Sequence, residues 1–175
     1  MKLTILFPVL NEHLRLEKGI ETCVAYVREH LSCSCELVIV DNGSDDDTPQ
    51  LAKALAEKYP EVSYRRIEER GVGIAFRTGI SECSSDLVGY LDFDLSTDLK
   101  YLSQTVELFE KDPSLQYVNG TRFSRTSDTR GRKWYRKITS AGLVLYLWHR
   151  LWPSQTNLLP GCMSHFPPGR ELPFL

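Results

Sequence analysis

This 175-residue sequence predicts an α/β fold, a mostly parallel sheet covered by helices on both faces. Two observations carry that expectation. Short apolar runs rich in β-formers alternate with segments whose apolar residues recur at helical spacing, from Lys2 to Phe123. Several of the runs are apolar at nearly every position, as in strands buried on both faces of a parallel sheet.

KLTILFPV (2–9), with a proline near its end, reads as the first buried strand. Leu16, Ile20, Val24, Val27 and Leu31 then mark one face of a helix, with Glu17, Lys18, Glu21 and Arg28 on the other. CELVIVD (35–41) is the second strand and NGSDDDTP is turn chemistry. Thr48 fits a helix N-cap, with Pro49 at the first helical position, and Leu51, Leu55 and Tyr59 continue the helix. VSYRRI (62–67) is a third strand, GVGIAFRTGI a glycine-opened helix, and DLVGYLD (86–92) a fourth strand. Leu99, Leu102, Val106 and Phe109 mark a further helix before a fifth strand, LQYVNGTRF (115–123). The last 23 residues hold five of the nine prolines and show neither period, so they read as irregular. The expected division is a domain over 1–152 and a proline-rich tail over 153–175.

A hydrophobic share of 42% and a charged share of 25% belong to a soluble globular chain. Its length suits one core. The net charge of −2 gives no reason to expect a nucleic-acid partner. Its distribution is uneven: residues 121–150 carry +7 and the remainder −9, which suggests a site for an anion or an anionic surface. The five cysteines show neither CxxC nor zinc-ligand spacing and read as reduced, structural thiols of a cytosolic protein. MKLTILFPVL is interrupted by Pro8 and lacks a small-x-small cleavage site, so it reads as a strand and not as a leader. No apolar run reaches the roughly 18 to 20 residues of a spanning helix.

Polar residues gather where the strands end. Asn11 and Glu12 follow the first strand, Asp41 and Asn42 the second, Arg70 the third, and Asp92 and Asp94 the fourth. In a parallel sheet these carboxyl ends face one crevice, where ligands bind. Two carboxylates as close as Asp92 and Asp94 raise each other's proton affinity unless a cation or strong donors lie between them. The pair therefore suggests a hard divalent ion. A dinucleotide fold is disfavoured, because no GxGxxG follows the first strand.

FPVLNE, VDNGSDDDT, the DFD of 92–94 and NGTRF (119–123), in this order, resemble the nucleotide-sugar motifs of GT-A glycosyltransferases. Within that class the chain resembles family 2, and most of all its polyprenyl-phosphate branch, the dolichyl-phosphate mannose synthase-like enzymes. These motifs carry the resemblance from about Lys2 to about Leu151. It implies a GT-A (Rossmann-like) fold and metal-dependent, inverting transfer of a hexose from a UDP- or GDP-sugar to a polyprenyl or dolichyl phosphate. By the same resemblance Asp94 ligates Mg²⁺ or Mn²⁺, Asp92 contacts ribose or metal, and Ser96 stands where a further ligand can sit. Asp41 accepts hydrogen bonds from the base or ribose, with Pro8, Asn11, Glu12 and Asn42 in the nucleotide pocket. Asp41 alone would equally suit an Asx turn. Arg70 would pair either with a phosphate or with Glu68 and Glu69.

TRFSRTSDTRGRKWYRKITSAGL resembles the acceptor loop and following helix of that branch. There Arg122, Arg136 and Ser140 would contact the lipid phosphate; arginine's planar fork suits that group. A phosphate monoester has its second pKa near 6, so the acceptor is already an anionic nucleophile. No general base is then required, and His13, His30 and His149 read as structural. AGLVLYLWHRLW (141–152), with Trp148 and Trp152 near its end, suits a helix lying in the headgroup layer of an anionic membrane. Peripheral attachment to a cytoplasmic membrane face is the expected location. Family members continue into a segment often marked D-x-x-x-G-F, which this sequence does not display. The tail is therefore expected to be truncated or altered. Two other functions fit such a chain: a nucleotide-sugar-binding protein impaired in catalysis, or a family 2 transferase acting on a sugar hydroxyl.

Overall fold

Leu3, Ile5, Phe7 and Val9 lie on one side of β1 (Lys2–Val9) and Leu6 on the other, and all five are buried. A strand with both faces covered belongs in the middle of a sheet. The computed structural model describes residues 1–91, 98–119 and the strand at 162–165, all within one compact unit. β1 runs parallel to β2 (Ser34–Asp41) on one side and to β4 (Leu87–Tyr90) on the other. β3 (Val62–Arg66) continues the parallel array beyond β2, while β5 (Tyr117–Asn119) and β6 (Cys162–His165) pair antiparallel. The strand order is β3-β2-β1-β4-β6-β5, so the expected mostly parallel sheet is present.

The helices divide between the two faces. α1 (His13–His30), α2 (Thr48–Lys58) and α4 (Lys100–Lys111) place Leu16, Ile20, Val24, Leu55, Val106 and Phe109 in one core with the β1 face of Leu3, Ile5 and Phe7. α3 (Val72–Ser81) covers the other face, where Ala75 packs with Leu6, Val38, Val40 and Val88. Its approach is close: a Cβ on Gly79 would meet both Leu6 methyl groups at 2.8 Å. Thr4 is buried on this face and shares a 2.7 Å hydrogen bond with Ser85, which satisfies both hydroxyls.

Charged pairs brace the outside. Arg28 of α1 binds Glu61 at 2.7 and 2.9 Å, and Lys58 of α2 binds Glu21 of α1 at 2.8 Å. Cys23, Cys33, Cys35 and Cys83 are free thiols, and burial pushes those of Cys23 and Cys35 up to about 12, which makes them inert.

Three expectations change. Thr48 is not the N-cap of α2 but its first residue, with Asp47 before it. The fourth strand stops at Tyr90 instead of reaching Asp92. The proline-rich tail is not irregular throughout, since Cys162–His165 forms β6 between β4 and β5. Four residues are too few to show a period, and Pro160 and Pro167 flank the strand without entering it.

Ile39 is fully buried on β2. Ile39→Ala should lower stability by about 2–5 kcal/mol in urea unfolding, as for other large-to-small core changes. Glu21 is held below its usual pKa by Lys58, and Glu61 by Arg28. A carboxylate depressed in the folded state stabilises it above the unfolded pKa and loses that contribution as pH falls. Stability should therefore decline as pH falls below about 4.3, the ordinary glutamate value. The decline should be shallower in the Glu21→Gln, Glu61→Gln double variant.

Candidate functional site

The loops after β1 and β2 and the turn before α3 meet at the carboxyl end of the parallel strands. Each is held by side chains of another. Asn11 has φ 55°, a left-handed conformation that asparagine tolerates better than most residues. Its N–H donates to Ser44 Oγ at 3.0 Å, and its Oδ1 accepts the Asp45 N–H at 2.9 Å. The Glu12 N–H donates to Thr48 Oγ1 at 2.9 Å, so the hydroxyl expected to cap α2 serves the start of α1 instead. The Glu12 carboxylate forks onto Arg15 through two 2.9 Å bonds. Pro8 sits in β1 in register with Val40 of β2.

Asp41 ends β2 with no solvent exposure at all. Its Oδ1 accepts the Ser44 N–H at 2.8 Å, and its Oδ2 accepts both the Tyr64 hydroxyl and Arg66 Nη1 at 2.9 Å. The carboxylate expected to accept from a base or ribose thus meets three protein donors, which fill three of its roughly four acceptor positions. Burial, and then the bond to Asp41, raises the Tyr64 phenol pKa. Asn42 follows, and only 5% of it is exposed. Its N–H donates to the Val9 carbonyl at 2.9 Å, and its Oδ1 accepts the Gly71 N–H at 2.8 Å, beside the first turn of α3. Gly43 adopts φ 76°, where a side chain would be strained although there is ordinary space for one.

Arg70 pairs with neither Glu68 nor Glu69. Its Nη2 donates to the Gly43 carbonyl at 3.0 Å and to Asp45, which ties the turn before α3 to the β2 loop. Asp46 receives His13 Nδ1 at 2.6 Å and the Thr48 N–H at 2.9 Å. Burial opposes ionisation of Asp46, but these bonds outweigh it and hold the carboxyl well below the usual range.

The structure thus brings Pro8, Asn11, Glu12, Asp41, Asn42 and Arg70 to one end of the sheet. Asp92, Asp94 and Ser96 lie outside the described residues, as do Arg122, Arg136, Ser140 and the apolar segment 141–152. The chain leading to Asp92 is held against β1 by the Leu91 N–H on the Leu6 carbonyl, at 3.2 Å. Among the described residues no group of three metal-ligating side chains occurs, and no helix is long and apolar enough to cross a membrane. Sequence reasoning missed Tyr64, Arg66 and Ser44. Arg66 carried a usable signal, since it is a charged residue at the carboxyl end of the third strand, where the other site residues gather.

The fold is that of the GT-A glycosyltransferases, whose solved structures share it. The chain belongs to glycosyl transferase family 2, whose family model matches residues 4–171. The match continues well past Leu151, where the motifs alone place the end of the resemblance, and includes β6. Dolichol-phosphate mannosyltransferase of Pyrococcus furiosus is 27% identical over 145 residues, which are 83% of this chain and 40% of that one. Undecaprenyl-phosphate 4-deoxy-4-formamido-L-arabinose transferase of Pseudomonas savastanoi pv. phaseolicola is 30% identical over 80% of this chain and 41% of its own length. Among solved structures, mannosyltransferase PcManGT of Pyrobaculum calidifontis, in complex with GDP-Man and Mn²⁺, superposes with a TM-score of 0.58. It is 25% identical, over 68% of this chain and 35% of that one. The chain therefore spans about two fifths of the length of these curated relatives.

Arg66→Ala should lower stability in urea unfolding, because it leaves the enclosed Asp41 carboxylate with one donor fewer. Tyr64→Phe should cost less, and the double variant should depart from additivity, since both side chains meet the same oxygen of Asp41. Gly43→Ala should cost about 1–2 kcal/mol through backbone strain alone.

Proposed function

We propose that this chain carries the donor and acceptor machinery of a metal-dependent, inverting hexosyltransferase. The donor is a UDP- or GDP-linked sugar and the acceptor a polyprenyl phosphate. The observation that carries the reading is the convergence of the β1, β2 and pre-α3 loops beside the strand that delivers Asp92 and Asp94. Membership of family 2 and the polyprenyl-phosphate relatives support it.

Pro8, Asn11, Glu12, Asn42 and Arg70 form the wall against which the nucleotide lies, and Asp41 holds that wall from behind. Asp92 and Asp94, with Ser96, would hold Mg²⁺ or Mn²⁺; two carboxylates and a hydroxyl are hard oxygen donors suited to either ion. A bound ion would neutralise the charge developing on the diphosphate leaving group. Arg122 and Arg136 fork onto the acceptor phosphate and Ser140 donates to it. The phosphate oxygen, already anionic near neutral pH, attacks the anomeric carbon opposite the leaving group. One displacement inverts the configuration. Segment 141–152 lies in the headgroup layer of an anionic membrane on its cytoplasmic face, which brings the loop to a lipid-borne acceptor.

Incubation with Mn²⁺, radiolabelled UDP- or GDP-hexose and polyprenyl phosphate should label the lipid. Binding without turnover would instead point to an impaired relative, and label on a sugar hydroxyl to a different acceptor class. Asp94→Asn should lose most Mn²⁺-dependent nucleotide binding in calorimetry with an unchanged circular dichroism spectrum; undiminished binding would make the acidic turn merely structural. Arg122→Ala and Arg136→Ala should each weaken acceptor use roughly ten- to a hundredfold. Nucleotide affinity should stay as it was. Loss of nucleotide binding in these variants would reassign the basic block to the diphosphate.

A further inference from the structure

Three arginines stand in or beside the loops at the carboxyl end of the sheet, and two of them are spent. Arg15 gives Nε and Nη2 to Glu12, while Arg66 gives Nε to Glu68 and Nη1 to Asp41 and the Ser44 carbonyl. Arg70 differs. Only its Nη2 is engaged, by the Gly43 carbonyl and by Asp45. The three N–H groups on its Nε and Nη1 meet no acceptor among the described residues. The side chain is half exposed yet held at one end. Its stem lies over Gly43, where a Cβ would stand 3.5 Å from Arg70 Cγ. Asp45 is fixed in turn, because its N–H donates to Asn11 Oδ1. The carboxylates nearer in sequence do not take Arg70: Glu68 binds Arg66, and Glu69 has no partner among the described residues.

Resting on the donor-site reading above, we propose that Asp45 is a positioning residue for the donor: it holds Arg70 so that the unspent side of the guanidinium meets a phosphate oxygen of the nucleotide. The diphosphate is the anionic part of such a donor, and N–H groups on adjacent nitrogens of a planar fork match its oxygens. Without Asp45 the long side chain is free to swing to Glu69, and its order has to be regained on binding. A carboxylate beside a phosphate also repels it, so by charge alone removing Asp45 tightens binding. Positioning and simple electrostatics therefore predict opposite signs for the same substitution.

Wild-type protein, Asp45→Ala, Asp45→Asn, Arg70→Ala and the Asp45→Ala, Arg70→Ala double variant are titrated calorimetrically with UDP and GDP in Mn²⁺. Their melting temperatures are compared. Asp45→Ala should weaken whichever nucleotide binds by roughly two- to tenfold, the cost of ordering one long side chain. Asp45→Asn keeps an acceptor oxygen without the charge and should recover most of that loss. In the Arg70→Ala background, Asp45→Ala should cost nothing further. A merely structural role for Asp45 would lower affinity and melting temperature there too. Uridine and guanosine, which carry no phosphate, should bind all the variants alike. Unchanged or tighter binding in Asp45→Ala overturns the inference, as does a loss that persists without Arg70 or extends to the nucleosides. The donor-site reading survives each of these results. A wild type that binds neither UDP nor GDP overturns both.

Discussion

A carboxylate sealed from solvent is tolerable only if donors meet it, and the architecture at the carboxyl end of the sheet follows from how Asp41 is met. Ser44 approaches from the loop that Asp41 itself begins, while Tyr64 and Arg66 come from the edge strand β3. The same contact therefore folds the β2 loop back and ties β3 to β2 beyond their backbone ladder. With Ser44 placed, its hydroxyl is in position for the Asn11 N–H. With Asn42 placed, its carbonyl oxygen is in position for the Gly71 N–H. Three loops that would each leave backbone donors unpaired satisfy one another in this way.

The result is a wall of irregular backbone with little freedom. Asn11 and Gly43 take left-handed conformations, and both lie inside this network. Their order comes from bonds within the protein itself.

Much of this was legible in the residues, and the failures have physical causes. Continuous apolar runs gave away β1 and β2, because strands covered on both faces need no polar alternation. The stripe from Leu16 to Val27 gave away α1 for the complementary reason. Thr48 was misjudged by one position because its hydroxyl answers a distant donor, the Glu12 N–H, and local capping rules do not register such a bond. The partners of Asp41, Tyr64 and Arg66, lie more than twenty residues away in sequence, so no local rule announces them. The gathering of polar residues at the strand ends followed from the strand-end rule; the hydrogen bonds that Asp41 and Asn42 make there needed coordinates. β6 was hidden among prolines.

That hidden strand has a topological consequence. Asn119, the last residue of β5, stands opposite Cys162, the first of β6. Everything from Gly120 to Gly161 is therefore one excursion whose two ends are clasped by an antiparallel ladder at the sheet margin. The basic block, with Arg122, Arg136 and Ser140, lies wholly inside it in sequence, whereas Pro8, Asn11, Glu12, Asp41, Asn42 and Arg70 lie wholly outside. Since lengthening a closed loop costs only slowly increasing entropy, such a clasp lets the excursion diverge while the parallel strands keep their register. A chain built this way can change what lies between Gly120 and Gly161 without rebuilding the carboxyl end of its parallel strands.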